Sequence, residues 1–561
     1  MSKVEEFFQD PKDKDISKLL KLIEEVHSNV EDKIDVDFPR IRGKIEQPYE
    51  DYLKDKKIPT ESRNLEDVFK DMGELFKGAL RWNHPGTMIN VNPPANLGAI
   101  AMSSYANLYN PNFAQDMSTG GLLLSELEVS KYLCDLADVD WRKAMGVFTF
   151  GGKGTNLYAV KIGLEKCLKN QDEDGNYQDV FTITTEQGHP CHTEVCGWLG
   201  IGRKNSIKVP VDKDGIIILE EAERIISKEL EKGRRLACIT INGATTIQMT
   251  IDPVKKVAEM RDRLVEKYKL DYVPHIHLDS VIGWVWLFFR NYDFEKNPLK
   301  IRKLALDKIK KMYNKISEIK YADSFSADFH KTGFCPYLSS IFITKRREEI
   351  YKLGGEKTKV LQISDLEYGN YSPFIYTLEL SRSSTGPLSA LVTLKSFGVE
   401  GFQKIIGELM NMGEYMKERI NSYDECEVIN ENDSDGFVTL FIVKPKGCKY
   451  SYEDIVYSRG MSKEESEELA KYNYIFYLYL LEKQMKRETT FAMDYSTGYR
   501  KNKDGVRIGV FKAYPMSPYL HEKEVDEITE ELIKLKREFD EVKDKFEPKE
   551  VPHKPRDFVF R

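Results

Sequence analysis

The chain of 561 residues carries 84 Lys and Arg against 91 Asp and Glu, which gives a formal net charge of -7, and 41% of its residues are hydrophobic. This composition excludes a disordered chain, and the charge balance excludes a broadly basic surface for nucleic acid or acidic membranes. A small-molecule partner is therefore expected, and the length predicts more than one structural unit.

The first residues, "MSKVEEFFQDPKDKD", are charged throughout and lack the apolar core of a signal peptide. No apolar run approaches the length of a membrane span. The 8 cysteines are scattered and form no CxxC pair, so their spacing indicates neither a disulfide framework nor a metal site. These features predict a cytoplasmic protein.

Three regions follow one another along the chain. Residues 1–82 contain charged amphipathic patterns such as "DISKLLKLIEEVHSNVEDKI" and predict an N-terminal helical arm. From residue 83 to 400, apolar runs such as "AMGVFTF" and "LACITING" alternate with helical patterns, which predicts a large α/β domain with a mainly parallel sheet. Residues 401–561 mix long helical patterns with the strand-like runs "GFVTLFIVKP" and "VRIGVFKA", and predict a small α+β C-terminal domain.

A basic stretch, "KIRKLALDKIKKMYNKISEIKY", occupies residues 300–321 within the large domain. It is open to two interpretations, an anion-binding face or an amphipathic helix with a solvated charged side. The helical spacing of its Ile and Leu residues favours the amphipathic helix.

The first stretch with candidate chemistry is "MGVFTFGGKGTNLYAVKIGLEK", in which a predicted strand ends in Gly151-Gly152-Lys153-Gly154 before a predicted helix. Glycines at such a junction let backbone N–H groups approach an anion, and the helix N-terminus adds a favourable dipole. A plain glycine-rich turn explains the same letters, and the pattern is neither a Walker motif nor a dinucleotide fingerprint.

Two further stretches place polar residues after predicted strands. In "TEQGHPCHTEVCGWLGIG", His189 and His192 lie three positions apart without a third metal ligand, which favours ordinary core or capping histidines. In "YVPHIHLDSVIGW", Asp279 ends an apolar strand, where ligands of open α/β sheets bind. A carboxylate there can ligate a metal, act as a base, hold a proton on a cofactor ring nitrogen or cap a helix.

The fourth stretch, "SFSADFHKTGF", places His330 directly before Lys331. A partly desolvated lysine beside a protonatable neighbour favours its neutral amine more than usual, and a neutral amine attacks an aldehyde to form a Schiff base. Taken alone, a solvated surface lysine is the ordinary interpretation. The other three stretches change that balance.

In chain order the four stretches resemble the group II pyridoxal-phosphate-dependent amino acid decarboxylases, which include glutamate and aromatic amino acid decarboxylases. The resemblance runs from about His84 to Arg507. "ADSFSADFHK" follows the family's A-D-S-x-x-x-D-x-H-K pattern, "HLD" its H-x-D, "TINGATTIQMTIDP" its G-T-T…D-P, and "TLELSRSS" the stretch that carries an arginine before a long helix. The resemblance implies a fold type I large domain, pyridoxal 5'-phosphate as cofactor and decarboxylation of an L-amino acid to an amine.

The resemblance also implies roles for eight positions. Lys331 would hold the cofactor covalently, and Asp279 would pair with its ring nitrogen. His189 would stack on the ring, because its distance to "LGIG" matches the family's H-x-S…L-G-x-G pattern, whereas that of His192 does not. The residues near the cofactor phosphate would be Gly152, Lys153 and His330. Thr246 would lie near the ring substituents, and Arg382 would face the substrate carboxylate. Lys153 replaces the Ser or Thr usual in the family. A homodimer with shared active sites and an N-terminal arm wrapped on the partner is implied as well.

Three departures from the family pattern bear on mechanism. Ser280 replaces the usual Ala, and the segment from Asp279 to Asp323 is longer than usual, which predicts an insertion around the basic helix. The family's catalytic loop tyrosine falls near Val360, and Tyr351 and Tyr368 are the nearest tyrosines. Decarboxylation is the leading interpretation, with three alternatives: an aldehyde-forming oxidative deamination, another pyridoxal-phosphate reaction such as a lyase or aminotransferase, and a non-catalytic binding protein.

The substrate pocket is expected to draw on "HPGTMINVNPPANLG" and "NLYNPNFAQDMSTGG". These stretches offer Pro and Phe for a ring, and Asn for a polar side chain; the candidates are Pro93, Pro94, Phe113, Asn90, Asn92 and Asn110. Aromatic and acidic amino acids are equally compatible with such a pocket.

Overall fold

A computed structural model of the chain describes residues 7–43, 48–176, 178–355, 358–430 and 434–547. The strands are β1 (Thr87–Met88), β2 (Met145–Thr149), β3 (Val180–Thr185), β4 (Ser206–Val209), β5 (Arg235–Asn242), β6 (His275–Asp279), β7 (Ser324–Asp328), β8 (Ser340–Thr344), β9 (Cys426–Val428), β10 (Thr439–Val443), β11 (Ala492–Lys501) and β12 (Arg507–Ala513).

The helices before the middle of the chain are α1 (Ser17–Ser28), α2 (Tyr49–Lys54), α3 (Leu65–Gly73), α4 (Leu97–Leu108), α5 (Asp116–Thr119), α6 (Leu124–Leu136), α7 (Gly152–Cys167), α8 (Gln171–Asp174), α9 (Cys191–Trp198), α10 (Leu219–Glu231) and α11 (Val254–Tyr268). Those after it are α12 (Lys303–Ile316), α13 (Arg347–Tyr351), α14 (Thr385–Asn421), α15 (Tyr452–Tyr457), α16 (Lys463–Lys486) and α17 (Glu522–Val542). Within the described ranges, none of these helices combines the length and the apolar character that crossing a bilayer requires.

A seven-stranded sheet, in the order β2-β8-β7-β6-β5-β3-β4, forms the large domain. Neighbouring strands from β4 to β7 run parallel, whereas β8 is antiparallel to both β7 and β2. Strands β2, β3, β6, β7 and β8 are buried along their whole length, as expected in a parallel-type sheet that is covered on both faces. The predicted α/β fold with a mainly parallel sheet is confirmed.

The direction of the strands brings the candidate residues to one edge of this sheet. Because β8 is antiparallel to both of its neighbours, β2 runs in the same direction as β7 and as the parallel strands. The carboxyl ends of β2, β6 and β7 therefore meet at one edge, and the glycine turn, Asp279 and the segment with Lys331 follow there. This is the edge at which open α/β sheets bind ligands.

A five-stranded sheet, in the order β1-β11-β12-β10-β9, forms the core of the C-terminal region. Its strand β1 comes from the segment predicted to belong to the large domain, and it pairs parallel with β11 through Thr87 and Ala492. Two residues are too few for an alternating pattern, so the sequence does not reveal this strand. The predicted boundary at residue 400 lies beside a kink in α14, where Gly398 has a φ of 58°.

Helix α12 lies within the predicted insertion between Asp279 and Asp323, and it forms the predicted amphipathic helix. Its charged side is not wholly solvated, because Lys308 Nζ lies 2.8 Å from Glu414 Oε2 of α14, and both side chains are buried. Lys417 Nζ, also buried, lies 2.7 Å from Glu414 Oε1. Burial lowers the pKa of Lys417 to about 8, even though the charge of Glu414 opposes this shift. The insertion is thus docked on α14 through a buried ionic cluster.

Candidate active site

A cavity of about 250 Å³ opens at the carboxyl edge of the large sheet. Seven of the eight residues predicted from the sequence line it, and these are Gly152, Lys153, His189, Thr246, Asp279, His330 and Lys331. They come from five segments separated by up to 179 positions along the chain, which the parallel topology brings together. The eighth predicted residue, Arg382, does not line this cavity.

The amine of Lys331 lies between two carboxylates. Its Nζ is 2.9 Å from Asp328 Oδ2, and about a quarter of the side chain is exposed to the cavity. Burial by itself lowers the pKa of Lys331, but the charges of Asp328 and Asp279 outweigh it, so the pKa lies above its ordinary value. The structure therefore describes Lys331 as a cation paired with Asp328. A ligand that displaces Asp328 from Lys331, or that removes the negative charge around it, would favour the neutral amine.

The carboxylate of Asp279 is buried at the end of β6 and is surrounded by hydrogen-bond donors. Oδ2 lies 2.8 Å from Nε2 of His192 and accepts from Asn156 Nδ2 at 3.0 Å, while Ser326 Oγ donates to Oδ1 at 3.4 Å. Burial by itself raises the pKa of Asp279, but the hydrogen bond and charge of His192, followed by the charges of His277 and Lys331, hold this pKa well below its ordinary value. Asp279 is therefore an anion facing the cavity.

His189 supplies a neutral aromatic surface to the same cavity. Burial lowers the pKa of His189 to about 4, and the charge of Lys331 adds to this lowering. The ring is oriented by its Nδ1, which accepts from the backbone N–H of Cys191 at 3.2 Å. An uncharged, oriented imidazole suits stacking against a flat ligand that also meets a cation and an anion nearby.

His330 is held at the edge of the cavity by backbone and aromatic contacts. Its Nδ1 lies 3.1 Å from Ser339 O, and its Nε2 lies 3.4 Å from Asp328 Oδ2. Its ring centroid is 4.3 Å from that of Tyr337. Burial lowers the pKa of His330, although the charge of Asp328 opposes the shift.

The turn between β2 and α7 forms a cradle beside Asp328. Gly151 has a φ of 108°, a region that favours glycine, and Gly152 begins α7. A Cβ added to Gly152 would lie 3.1 Å from Asp328 Oδ2 and 3.4 Å from Val281 Cγ1, so a side chain here would enter the cavity space. The first N–H groups of a helix have no acceptor within the helix, which makes this turn an anion site.

Lys153, the residue that replaces the family's Ser or Thr, forms an ion pair with Glu194 of α9. Its side chain is about half exposed and lines the cavity beside the glycine turn. The ammonium group of Lys153 at the cavity wall is therefore already paired with a carboxylate.

The prediction that Arg382 faces a substrate carboxylate disagrees with its contacts. The guanidinium is buried and bidentate with Glu126 of α6: Nη2 pairs with Oε2, and Nη1 donates to Oε1 at 3.1 Å. Nη1 and Nη2 also donate to the carbonyls of Phe113 and Phe148, each at 3.1 Å. A buried carboxylate already occupies the face of the guanidinium that would bind a substrate, so Arg382 joins α6 to the segment before α14.

Tyrosines in the expected catalytic loop lie away from the cavity. Tyr351 is buried with its ring centroid 4.8 Å from that of Tyr376, Tyr368 is 72% exposed, and Val360 packs against the cluster that contains Tyr351. By contrast, Tyr337 packs against the ring of His330 at an interplanar angle of 42° and donates its hydroxyl to Asn92 Oδ1. Asn92 comes from the stretch predicted to form the substrate pocket.

Three residues in or beside the site were absent from the predicted set. Asp328, which lies within the motif "ADSFSADFHK", contacts both Lys331 and His330; His192 and Asn156 hold Asp279. The signal for Asp328 was present, because residues three positions before Lys331 share a turn with it. For His192 and Asn156 the sequence carries no comparable signal, since their partner Asp279 is 87 and 123 positions away.

The sequence profile of the family described as "Pyridoxal-dependent decarboxylase conserved domain" matches residues 308–441. The L-2,4-diaminobutyrate decarboxylase of Acinetobacter baumannii is 22% identical over 70% of this chain and 74% of its own. The acidic amino acid decarboxylase GADL1 of Xenopus tropicalis is 20% identical over 86% of this chain and 87% of its own. Among solved structures, mouse CSAD in apo form superposes with a TM-score of 0.74 and 17% identity over 92% of this chain and 99% of its own, which shows a shared fold.

The contacts of Arg382 predict that substitution of its partner, Glu126, destabilises the fold. Glu126→Gln removes the only carboxylate bonded to a guanidinium buried among carbonyls, within the part of the chain that the structure describes. We expect the free energy of unfolding to fall by about 3–5 kcal/mol, because an uncompensated buried charge remains. Chemical denaturation of the purified protein measures this change.

The matched control is Glu128→Gln on the same helix, where Glu128 pairs with Lys395 at 2.8 Å on a partly exposed surface. A surface pair of this kind contributes about 1 kcal/mol or less, so this variant should be close to wild type. An unchanged stability of Glu126→Gln together with a raised KM would instead support the substrate role predicted for Arg382.

Proposed function

We propose that this chain, which belongs to the pyridoxal-dependent decarboxylase family, converts an L-amino acid to the corresponding amine and carbon dioxide. In this reaction the bond between the α-carbon and the carboxylate carbon breaks, and one proton is delivered to the α-carbon. The observation that carries the proposal is the meeting of the Lys331 amine, the Asp279 carboxylate and the N-terminus of α7 in one cavity.

The residues around the cavity fit pyridoxal phosphate. An amine at Lys331 suits its aldehyde, and a buried anion at Asp279 suits a protonated ring nitrogen. The cradle at Gly152 has room that a Cβ would fill, next to the anion-binding end of α7, which suits the phosphate. The neutral ring of His189 suits the flat face of the pyridine.

When bound, pyridoxal phosphate supplies an aldehyde for the substrate amine and a ring that accepts the electron pair left by carbon dioxide. Asp279 would hold the proton on the ring nitrogen, because hydrogen-bond donors and positive charge around its carboxylate favour the ionised form. Asp328 holds the Lys331 amine at the cavity wall at 2.9 Å. His189 would cover one face of the bound ring. Ala244, Thr245 and Thr246, which follow β5, line another wall of the cavity.

For the proton that reaches the α-carbon we assign Tyr337 as the donor. Its ring centroid lies 4.3 Å from that of His330, which lines the cavity next to Lys331, and its hydroxyl bonds to Asn92. By contrast, Tyr351 packs on Tyr376, and Tyr368 is largely exposed to solvent. A phenol keeps its proton at neutral pH, so the hydroxyl of Tyr337 can act as an acid there.

A homodimer with a shared active site is part of the same proposal. Phe150 and Leu338 line the cavity and are nevertheless exposed, at 41% and 51%. Nearby, Leu378 and Leu380 are 61% and 67% exposed, and Glu379 between them bonds to Thr149 at the end of β2. An apolar surface that continues into a ligand cavity is typical of an interface that completes the cavity.

A cytoplasmic location also belongs to the proposal. All eight cysteines are free thiols, and seven of them are buried, which suits a reducing compartment. The substrate class is left to direct assay, because the similar proteins carry the names of different decarboxylases, one for L-2,4-diaminobutyrate and one for acidic amino acids.

The reaction is tested by incubating the purified protein and pyridoxal phosphate with single L-amino acids of the diamino, acidic and aromatic classes. We expect amine and carbon dioxide in equal amounts from one class. Lys331→Ala should lose this activity and the absorbance of the covalently held cofactor, because Lys153, the other lysine that lines the cavity, is ion-paired with Glu194 of α9.

Lys153→Ala is the matched lysine control, and it should weaken cofactor binding while preserving the covalent absorbance. A protein that takes up no pyridoxal phosphate, or a Lys331→Ala variant with full activity, would contradict the proposal.

Proton delivery by Tyr337 is tested with Tyr337→Phe, which keeps the ring on His330 and removes the hydroxyl. We expect amine formation to fall by about 10²- to 10⁴-fold, the usual contribution of a general acid. Carbon dioxide release should fall less, with the difference appearing as aldehyde, ammonia and hydrogen peroxide in the presence of oxygen. Tyr368→Phe is the control, and a larger loss of amine in that variant than in Tyr337→Phe would move the donor role to Tyr368.

The dimer is tested by light scattering. The wild-type chain of 65.0 kDa should give about twice this mass, and the double substitution Leu378→Asp with Leu380→Asp should shift it towards one chain and reduce activity. Val273→Asp, at a partly exposed apolar position beside the opposite end of β6, is the control. A monomeric and fully active wild-type protein would rule out a shared site.

A further inference from the structure

His192 lies directly behind Asp279 and does not line the cavity. It is 3% exposed, and it stands near the start of α9, between β3 and β6. Its Nε2 is 2.8 Å from Asp279 Oδ2, and its Nδ1 is 2.7 Å from Thr184 Oγ1. Both nitrogens of the ring are therefore occupied by polar groups from two different strands.

The direction of these hydrogen bonds follows from the chemistry of the partners. An ionised carboxylate only accepts hydrogen bonds, so Nε2 of His192 carries the proton that it donates to Asp279. The hydroxyl of Thr184 can donate to Nδ1 or accept from it. Thr184 thus fixes the orientation of the ring, and the ring fixes one oxygen of Asp279.

We propose that His192 is a positioning residue that keeps the Asp279 carboxylate ionised and oriented for the ring nitrogen of the cofactor. The inference rests on the proposed function, since it assigns His192 a role towards the same bound group. Donation to the charged form of a carboxylate favours that form, and a buried carboxylate without such a donor takes up a proton. The direction of the Asp279 pKa agrees with this role.

Other neighbours of Asp279 do not replace His192. Asn156 Nδ2 donates to the same oxygen at the longer distance of 3.0 Å, and Ser326 Oγ reaches the other oxygen at 3.4 Å. Hydrogen bonds to charged groups strengthen as they shorten, so the 2.8 Å contact of His192 is the strongest of the three.

A metal site is the competing interpretation of the same cluster. Ligand atoms of Cys191, His192 and Asp279 lie within 4.8 Å of one another. A nitrogen that donates its proton to a carboxylate has no lone pair for a metal, and burial raises the pKa of the Cys191 thiol well above its ordinary value. The geometry therefore favours the hydrogen-bonded chain Thr184–His192–Asp279.

The test measures cofactor affinity of the apoprotein, with two ligands. One is pyridoxal phosphate, and the other is its deaza analogue, in which carbon replaces the ring nitrogen. For His192→Leu we expect the Kd for pyridoxal phosphate to rise by about 10- to 100-fold, the effect of losing a hydrogen bond to a charged group. The Kd for the deaza analogue should stay at the wild-type value, because that ligand has no ring nitrogen for Asp279.

Two further variants separate positioning from folding. His192→Gln keeps an N–H donor and should recover most of the affinity for pyridoxal phosphate. Thr184→Val removes the hydroxyl that orients the ring and should weaken pyridoxal phosphate selectively, whereas Thr182→Val, on the same strand and bonded to Cys196 instead, should not.

Equal losses of affinity for both ligands in His192→Leu, or no loss for either, would overturn the inference. Tight Zn²⁺ binding by the wild-type apoprotein that disappears in His192→Leu would also overturn it in favour of a metal site. Failure of the wild-type protein to bind pyridoxal phosphate at all is a separate result, which would reject the proposed function itself.

Discussion

The ionised carboxylate of Asp279, buried at the end of β6, is the constraint on which the rest of the site depends. A carboxylate in this position loses its hydration and would take up a proton unless the protein supplied donors and positive charge. The fold supplies them from three directions: His192 from α9, Asn156 from α7 and Lys331 from the turn after β7. Helix α7 after the glycine turn, the α9 segment and the lysine therefore all help to keep Asp279 ionised.

A second carboxylate, Asp328, controls the other charged group of the cavity. It holds Lys331 as a cation at 2.9 Å and is itself fixed by Ser340, whose Oγ donates to Oδ1 at 2.6 Å. Lys331 therefore lies against two carboxylates, Asp328 and Asp279, and the positive end of α7 stays available for a ligand. In the buried pair of Arg382 and Glu126, each charge is compensated by the other, so the pair stabilises the fold and is not free to bind a ligand.

Local patterns were sufficient for the elements of the large sheet. The predominantly apolar runs that form β2, β3, β5 and β6 are bounded by helical patterns, so the sequence alone predicts strands that are buried on both faces. The resemblance of local motifs to the decarboxylase family identified the glycine turn, His189, Asp279 and Lys331, and the parallel strands explain why these positions meet at one edge. Strand β1 and the burial of Lys308 were not foreseen, since each depends on a partner more than 100 positions away.

The sequence by itself determined the kind of fold, the edge of the sheet that carries the chemistry and most of the residues around the cavity. These properties depend on hydrophobic periodicity and on short motifs, both of which can be recognised within a few consecutive residues. Only the tertiary structure decided that His192 supports Asp279, that Arg382 is committed to Glu126 and that Tyr337 approaches His330. Hydrogen bonds and ion pairs depend on distances of a few ångströms between segments far apart in the chain, and such distances exist only after the chain has packed.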